Sequence, residues 1–503
     1  MTNELKRVSR WKLLLAAIFA SICVSGTAVA REKMQVERLS NQQDYDQFIV
    51  RFKEGSTARV DESKVRISID GAASRLSMAT GKSVGIVKVR RMLGSTDLVR
   101  TSRPLDRVEA ALLMRQLADD PNVEHVEPDL TVMAFADVND PYLSAQWHLQ
   151  SSLSYGTSAK FAWDTAIGTG VVIGIIDSGL TPHPDIDPAR IVPGYDFITN
   201  VVIAKDGNGR DSDPSDPGSY SPGIFLGCDS DAFCSTLGDS TWHGTRVAGI
   251  AAATANNNYG GAGVAPGAKV MPIRVLGKGG RGKLSDLIDA IRWAGGVGGA
   301  GLPSLPNAPD RPRVINMSLG FPTTTTCSSE LQSAINQAYA QGVTLVAAAG
   351  NSSSLANAEP AKCDNVISVA ATNNLGNRSD FSSYADWITI AAPGGEGVDG
   401  DAGDILTTSN SGWDGPVAPN FVQVAGTSMS APQVSGAAAV LLSHAASRSY
   451  CSLSPGQIKN IIINGSTPFP AAQPAGMKIG AGILDVSSSI HQIGLICDIM
   501  IHN

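Results

Sequence analysis

The run Ser428–His444, SMSAPQVSGAAAVLLSH, has Ala, Val, Leu or Gly on every face of the helix it must form, without an acid, lysine or arginine. A helix with no polar face is stable only when other elements sheathe it on all sides, so this chain must build layers around that segment. Pro432 falls in the first turn, where its missing amide proton costs nothing. Ser428 opens the run, and its hydroxyl therefore stands at the positive helix end, among backbone amides able to stabilise an oxyanion. Most serines in such a position are only N-caps. Acid and base partners elsewhere in the chain would change that reading.

Both occur upstream. Asp177 ends the wholly apolar stretch Val171-Val172-Ile173-Gly174-Ile175-Ile176 and is followed by Ser178-Gly179. That pattern predicts a buried parallel strand carrying a carboxylate to its C-terminal edge, where open α/β sheets place their sites. His243 opens HGTRVAGIA, a second helix with a face of very small residues. Each motif alone is weak, since strand-end aspartates form turns and single histidines are mostly structural. Together with Gly426-Thr427-Ser428-Met429-Ser430-Ala431-Pro432, in the order Asp, His, Ser, they point to nucleophilic catalysis.

These three segments resemble the blocks of the subtilase family, the subtilisin-like serine endopeptidases, over residues of roughly 140 to 488. A fourth block, Val343 to Asn351, resembles the family strand that ends in the oxyanion-hole asparagine. Other serine hydrolases fit less well. An α/β-hydrolase elbow needs glycine where Ser430 stands, and chymotrypsin-like enzymes run His, Asp, Ser. The resemblance implies a secreted serine endopeptidase acting on proteins and peptides as a monomer. Asp177, His243 and Ser428 would form its triad, and Asn351 would donate to the oxyanion. A non-catalytic binding protein on the same fold is the other class to weigh; it should lack one of these four side chains, and this chain has them all.

The N-terminus carries Lys6, Arg7, Arg10 and Lys12, then the apolar run Leu13 to Val24, then Ala28-Val29-Ala30. This pattern predicts a signal peptide over 1–30, too short for a membrane span. Residues 31–136 are charge-rich. They mix a strand at Tyr45–Phe52, a helix over Leu105–Leu117 and a strand from Val123, which predicts a small α+β unit. By position this unit resembles the family's inhibitory propeptide, of ferredoxin-like fold, cut from the catalytic domain 137–503 near Ala136-Asp137. Its tail, Leu130 to Ala136, would then lie in the cleft as an intramolecular inhibitor. An independent N-terminal binding domain is the alternative.

The remainder alternates strands (Val171–Asp177, Val270–Leu276, Val314–Leu319, Val343–Ala349, Val366–Ala371) with helices near His243–Ala253, Leu284–Ala294 and Glu330–Gln341. An α/β fold follows, with a mostly parallel sheet and helices on both faces. Glycines in Gly280-Arg281-Gly282 and in Ser318-Leu319-Gly320 would let an extended peptide pair closely with the backbone. The resemblance makes these the substrate-binding segments and lines the side-chain pocket with Ala347–Gly350, Ala349 and Gly350 among them, and a residue near Ala358, with Glu359 close by.

Between Asp177 and His243 lies a long insertion containing Asp206, Asn208, Asp211 and Asp213 among glycines. Oxygen ligands on a turning loop suit calcium, a frequent partner in the family, although a solvated turn has the same composition. The Asn256–Gly260 loop is a second calcium candidate. Of seven cysteines, Cys23 leaves with the signal peptide, so Cys228, Cys234, Cys327, Cys363, Cys451 and Cys497 remain. They suit an oxidising compartment and allow fifteen pairings, among which the sequence does not choose; sequential pairing, Cys228–Cys234, Cys327–Cys363 and Cys451–Cys497, is the expectation. With 17% charged residues and no basic tract, the chain is not expected to bind nucleic acid, and no other segment is long and apolar enough to cross a bilayer, so no stable membrane association is expected.

Overall fold

The apolar run before Asp177 is a strand buried on both faces, as a β-branched segment bounded by glycine turns should be. The computed structural model describes residues 34, 39, 45–56, 61–92, 96–130, 138–221, 238–322, 327–397, 402–448 and 451–501, with side chains at 152, 322 and 494–501 left out. The expected signal segment, the Ala136-Asp137 junction, Cys228 and Cys234 lie outside the described residues. The chain divides into two compact units, Met1–Ala136 and Asp137–Asn503.

The first unit runs β1 (Tyr45–Phe52), α1 (Glu62–Thr80), β2 (Ile86–Arg91), β3 (Thr96–Leu105), α2 (Arg107–Ala118) and β4 (Val123–Pro128). Its antiparallel sheet has the order β2-β3-β1-β4, a βαββαβ arrangement. Phe48, Val50 and Phe52 project from one face of β1 into a core shared with Val65, Ile69 and Leu76 of α1 and Leu113 and Leu117 of α2. Leu105 closes β3 instead of opening the helix. Asp106 intervenes as the N-cap, its carboxylate accepting from the Glu109 amide at 2.8 Å. Helix α1 has no clear apolar periodicity, because alanine and serine dilute its buried stripe.

The second unit runs β5 (Val172–Asp177), β6 (Tyr195–Asp196), α3 (His243–Ala252), β7 (Lys269–Arg274), α4 (Leu284–Ala294), β8 (Val314–Met317) and β9 (Phe321–Pro322). It continues with α5 (Ser329–Ala340), β10 (Thr344–Ala348), β11 (Ala358–Glu359), β12 (Val366–Thr372), β13 (Ile390–Pro393), β14 (Ile405–Asn410) and β15 (Pro419–Val424). Helices α6 (Thr427–Ala446), α7 (Pro455–Asn464) and α8 (Val486–Ile501) close it. Seven strands form one sheet in the order β13-β12-β10-β8-β5-β7-β6, every neighbouring pair parallel.

Alternation along the strands divides the core. Val172, Ile176, Leu345 and Ala347 face α4 and α5, whereas Ile173, Ile175 and Val346 face α3 and α6. Helices therefore cover both faces. Helix α6 is buried from Thr427 to Leu442 without interruption, and a β-carbon on its Gly436 would stand 3.0 Å from the Ala251 carbonyl oxygen of α3. That close crossing explains the small residues in both helices. Among the described residues no helix is long and apolar enough to cross a membrane.

Candidate active site

Strand order reverses at β5, whose neighbours are β7 on one side and β8 on the other, and its C-terminal end holds Asp177 fully buried. His243 is the first residue of α3. Its predecessor Trp242 is 1% exposed, has a left-handed backbone (φ 51°) and donates its indole N–H to the Gly412 carbonyl at 2.8 Å. The anchored indole sets where the helix begins and so where the imidazole stands. His243 Nδ1 lies 2.7 and 2.9 Å from the two oxygens of Asp177. An ionised carboxylate only accepts, so Nδ1 carries the proton and Nε2 is the basic nitrogen.

Ser428 lies in the first turn of α6 and is 7% exposed; its hydroxyl donates to the Ser318 carbonyl at 3.0 Å. Ser318 answers, its hydroxyl donating to the Ser428 carbonyl at 2.8 Å while accepting from Asn316 Nδ2 at 2.9 Å. Asn316 in turn accepts from Ser435, one helical stretch further along α6. This buried polar chain ties the end of β8 to the start of α6.

Asn351 follows β10. Its side-chain oxygen accepts from both the amide and the hydroxyl of Thr427, at 2.9 and 2.8 Å. With the oxygen so occupied, the NH₂ is the end of the amide left to donate. Thr427 Oγ1 also accepts from the Gly350 amide at 3.2 Å, so one threonine beside Ser428 orients the whole segment. Sequence reasoning missed this role, as it missed Asn316; the GTS triplet was the available signal.

The two proposed backbone-pairing segments come together. Gly280, Gly282, Leu319 and Gly320 line one cavity of ≈ 700 Å³, walled by Leu276 and Leu284. Strand β8 ends at Met317, however, so Ser318–Gly320 continue beyond the ladder, and Lys278–Gly280 form a tight turn with Gly279 and Gly280 in the left-handed region. Ala349 is buried beside Gly350, and Ala358–Glu359 pairs with Phe321–Pro322 as a two-stranded flap. Glu359 is 2% exposed and turns inward to accept from the Ser328 amide at 3.1 Å. A disulfide joins Cys327 to Cys363 next to it, with Cα atoms 5.1 Å apart. Cys451 is also disulfide-bonded; the side chain of Cys497 lies outside the described residues.

The two loops considered for calcium differ. Asp206 is taken by Arg274 at 2.6 Å, Asn208 donates to Asp211 at 2.6 Å, and Asp213 accepts from the Ser215 amide at 3.0 Å. Asp206, Asp211 and Asp213 do not converge on one point among the described residues. At the Asn256–Gly260 loop the carboxylates of Asp140 and Asp185 are both buried. Asp140 accepts from the Asn256 amide at 2.8 Å, and Asp185 from the Asn257 side chain at 2.9 Å and the Gly261 amide at 3.0 Å. Burial, with the negative Asp140 adding to it, pushes the Asp185 carboxyl up to about 6. Two buried carboxylates beside one turning loop are the donor type that a hard divalent cation takes.

A parallel α/β sheet with a hydrogen-bonded Asp–His pair at its C-terminal edge and a buried serine in the first turn of a second helix defines a serine endopeptidase. The Subtilase family model matches residues 168–482. The extracellular protease of Xanthomonas campestris is 40% identical over 96% of this chain and 79% of its own length. The extracellular basic protease of Dichelobacter nodosus is 35% identical over 97% and 78%. A solved protease structure from Pseudoalteromonas arctica, 40% identical, matches with a TM-score of 0.63 over 71% of this chain and all of its own. The chain belongs to the subtilase family.

Proposed function

We propose that this endopeptidase is secreted and works through Asp177, His243 and Ser428, and the hydrogen bond that His243 Nδ1 donates to the two oxygens of Asp177 carries that reading. His243 Nε2 takes the Ser428 proton as the oxygen attacks the scissile carbonyl carbon; it then gives that proton to the departing amine. Water repeats the cycle on the acyl-enzyme, restoring the serine and releasing a carboxylic acid. Asp177 holds the imidazole tautomer and stabilises the imidazolium. Asn351 Nδ2 and the Ser428 amide receive the oxyanion.

The substrate main chain lies between Gly280–Gly282 and Ser318–Gly320, with its side chain against Ala349 and Gly350. Residues 31–136 act as an inhibitory propeptide, cut by the enzyme itself near Ala136-Asp137 after removal of the signal segment 1–30. Calcium, a common partner of the family, is held structurally by the Asp140, Asp185 and Asn256–Gly260 region in preference to the Asp206 loop. The ion adds rigidity there and takes no part in the chemistry. Hydrolysis of casein by the purified protein, with and without a serine-directed phosphonylating inhibitor, is the test. Undiminished hydrolysis with the inhibitor present would rule out Ser428 as nucleophile.

A further inference from the structure

The segment between Asp177 and His243 does more than connect them. After Asp177 the chain turns at Gly179 (φ 101°), and residues 214–216 pair with the segment that follows: Leu180 donates to the Pro214 carbonyl and the Asp216 amide to the Leu180 carbonyl, both at 3.2 Å. Glycine is required at 179, because a β-carbon there would stand 2.4 Å from the Pro214 carbonyl oxygen. This pairing brings a second carboxylate, 3% exposed, up to the residue beside the catalytic aspartate. Asp216 accepts from the Ser178 hydroxyl at 2.7 Å and from the Gly218 amide at 2.8 Å.

Ser178 is thereby fixed in three directions. Its hydroxyl donates to Asp216 and accepts from the Gly244 amide at 2.9 Å, while its own amide donates to Asp177 Oδ1 at 2.7 Å. Gly244 directly follows His243. One serine thus touches the backbone beside the base and the carboxylate that orients it, and a buried acid decides which way the hydroxyl points.

We propose that Asp216 is a positioning residue for the Asp177–His243 pair, acting through Ser178. A hydroxyl can donate only once; by drawing that donor to itself, Asp216 turns the Ser178 lone pairs toward Gly244. The start of α3 and the end of β5 are then clamped at one residue, α3 through the Ser178 hydroxyl and Asp177 through its amide. Without the carboxylate the hydroxyl can rotate, and the angle between imidazole and Asp177 loosens. Catalysis is steep in such angles, because a misplaced base transfers its proton slowly even when substrate binds normally. This inference rests on the triad reading above.

The full-length chain tests it, after maturation and counting of sites with a phosphonylating inhibitor, by hydrolysis of a succinyl-peptide p-nitroanilide. Ser178→Ala and Asp216→Ala should each lower kcat about ten- to hundredfold, the effect of losing one charge-assisted hydrogen bond, with KM changed less than about twofold. Asp216→Asn, whose amide oxygen still accepts, should fall between wild type and Asp216→Ala. The double variant should be no slower than the slower single one. The inference is overturned if Asp216→Ala keeps the wild-type kcat, if only KM or melting temperature moves, or if the two losses multiply. Should Asp216→Ala not fold, wild-type kcat in both Asp216→Asn and Ser178→Ala overturns it equally. His243→Ala, run alongside, separates the two readings: turnover surviving there sinks the triad itself.

Discussion

Ser318 and Ser428 exchange hydrogen bonds, each hydroxyl donating to the other's backbone carbonyl at 2.8 and 3.0 Å across 110 residues of sequence. The bond from Ser428 must open when its oxygen attacks. The bond from Ser318 need not, and it holds the helix start in place throughout. Removing the Ser318 hydroxyl also strands the Asn316 amide that donates to it. Ser318→Ala, compared in a Ser428→Ala background to prevent self-digestion, should cost about 1–3 kcal/mol in denaturant unfolding, as an unsatisfied buried group does. An unchanged midpoint would show the clasp to be incidental.

Asn351→Ala should leave KM nearly unaltered and reduce kcat by a hundredfold or more. The basis is the ~2.7–4 kcal/mol that one oxyanion donor contributes, a magnitude established for subtilisin itself. Because Asn351 also accepts from Thr427, a matching loss in Thr427→Val would show that orientation of the amide, and not only its presence, sets the rate.

Ser428→Ala should accumulate as an uncut precursor, read by mass spectrometry of the purified chain. Conversion at the normal rate in the absence of any other protease would rule out self-processing.

Stability should respond to pH through Asp185. Its carboxyl titrates near 6 when folded against an ordinary 3.8, so the ion-free folded state binds the proton more tightly than the unfolded one. That contribution is fully present below about 3.8 and is lost as pH rises through about 6. Chelator-treated protein should therefore lose melting temperature across this window, and calcium should restore it most above pH 6, where the site is anionic. Asp185→Asn should flatten both responses. A melting curve indifferent to calcium at pH 8 would remove the ion from this loop.

Much of the sheet could be read in advance because β5, β7, β8, β10 and β12 are short, mostly apolar runs, and parallel strands covered on both faces need that composition. The same runs named Asp177, the last residue of β5, and Asn351, three residues past β10. Helix α1 stayed hidden because its buried face is partly alanine, and hydrophobic spacing detects alanine poorly. The Asp206 loop read as a cation site, yet a buried arginine on β7 reaches one of its carboxylates. Composition reports donors, not what already occupies them.

What Asp177, His243 and Ser428 could do chemically was determined by the sequence, since residue type and helix or strand context are local properties. Burial of the SMSAPQVSGAAAVLLSH helix was determined there as well, because no folding can solvate a helix lacking a polar face. Only the tertiary structure decided that Ser318 faces Ser428, that Thr427 turns the Asn351 amide, and that Asp216 reaches Ser178. Those bonds join segments far apart in the chain, and a hydrogen bond depends on distance and angle, which packing alone sets.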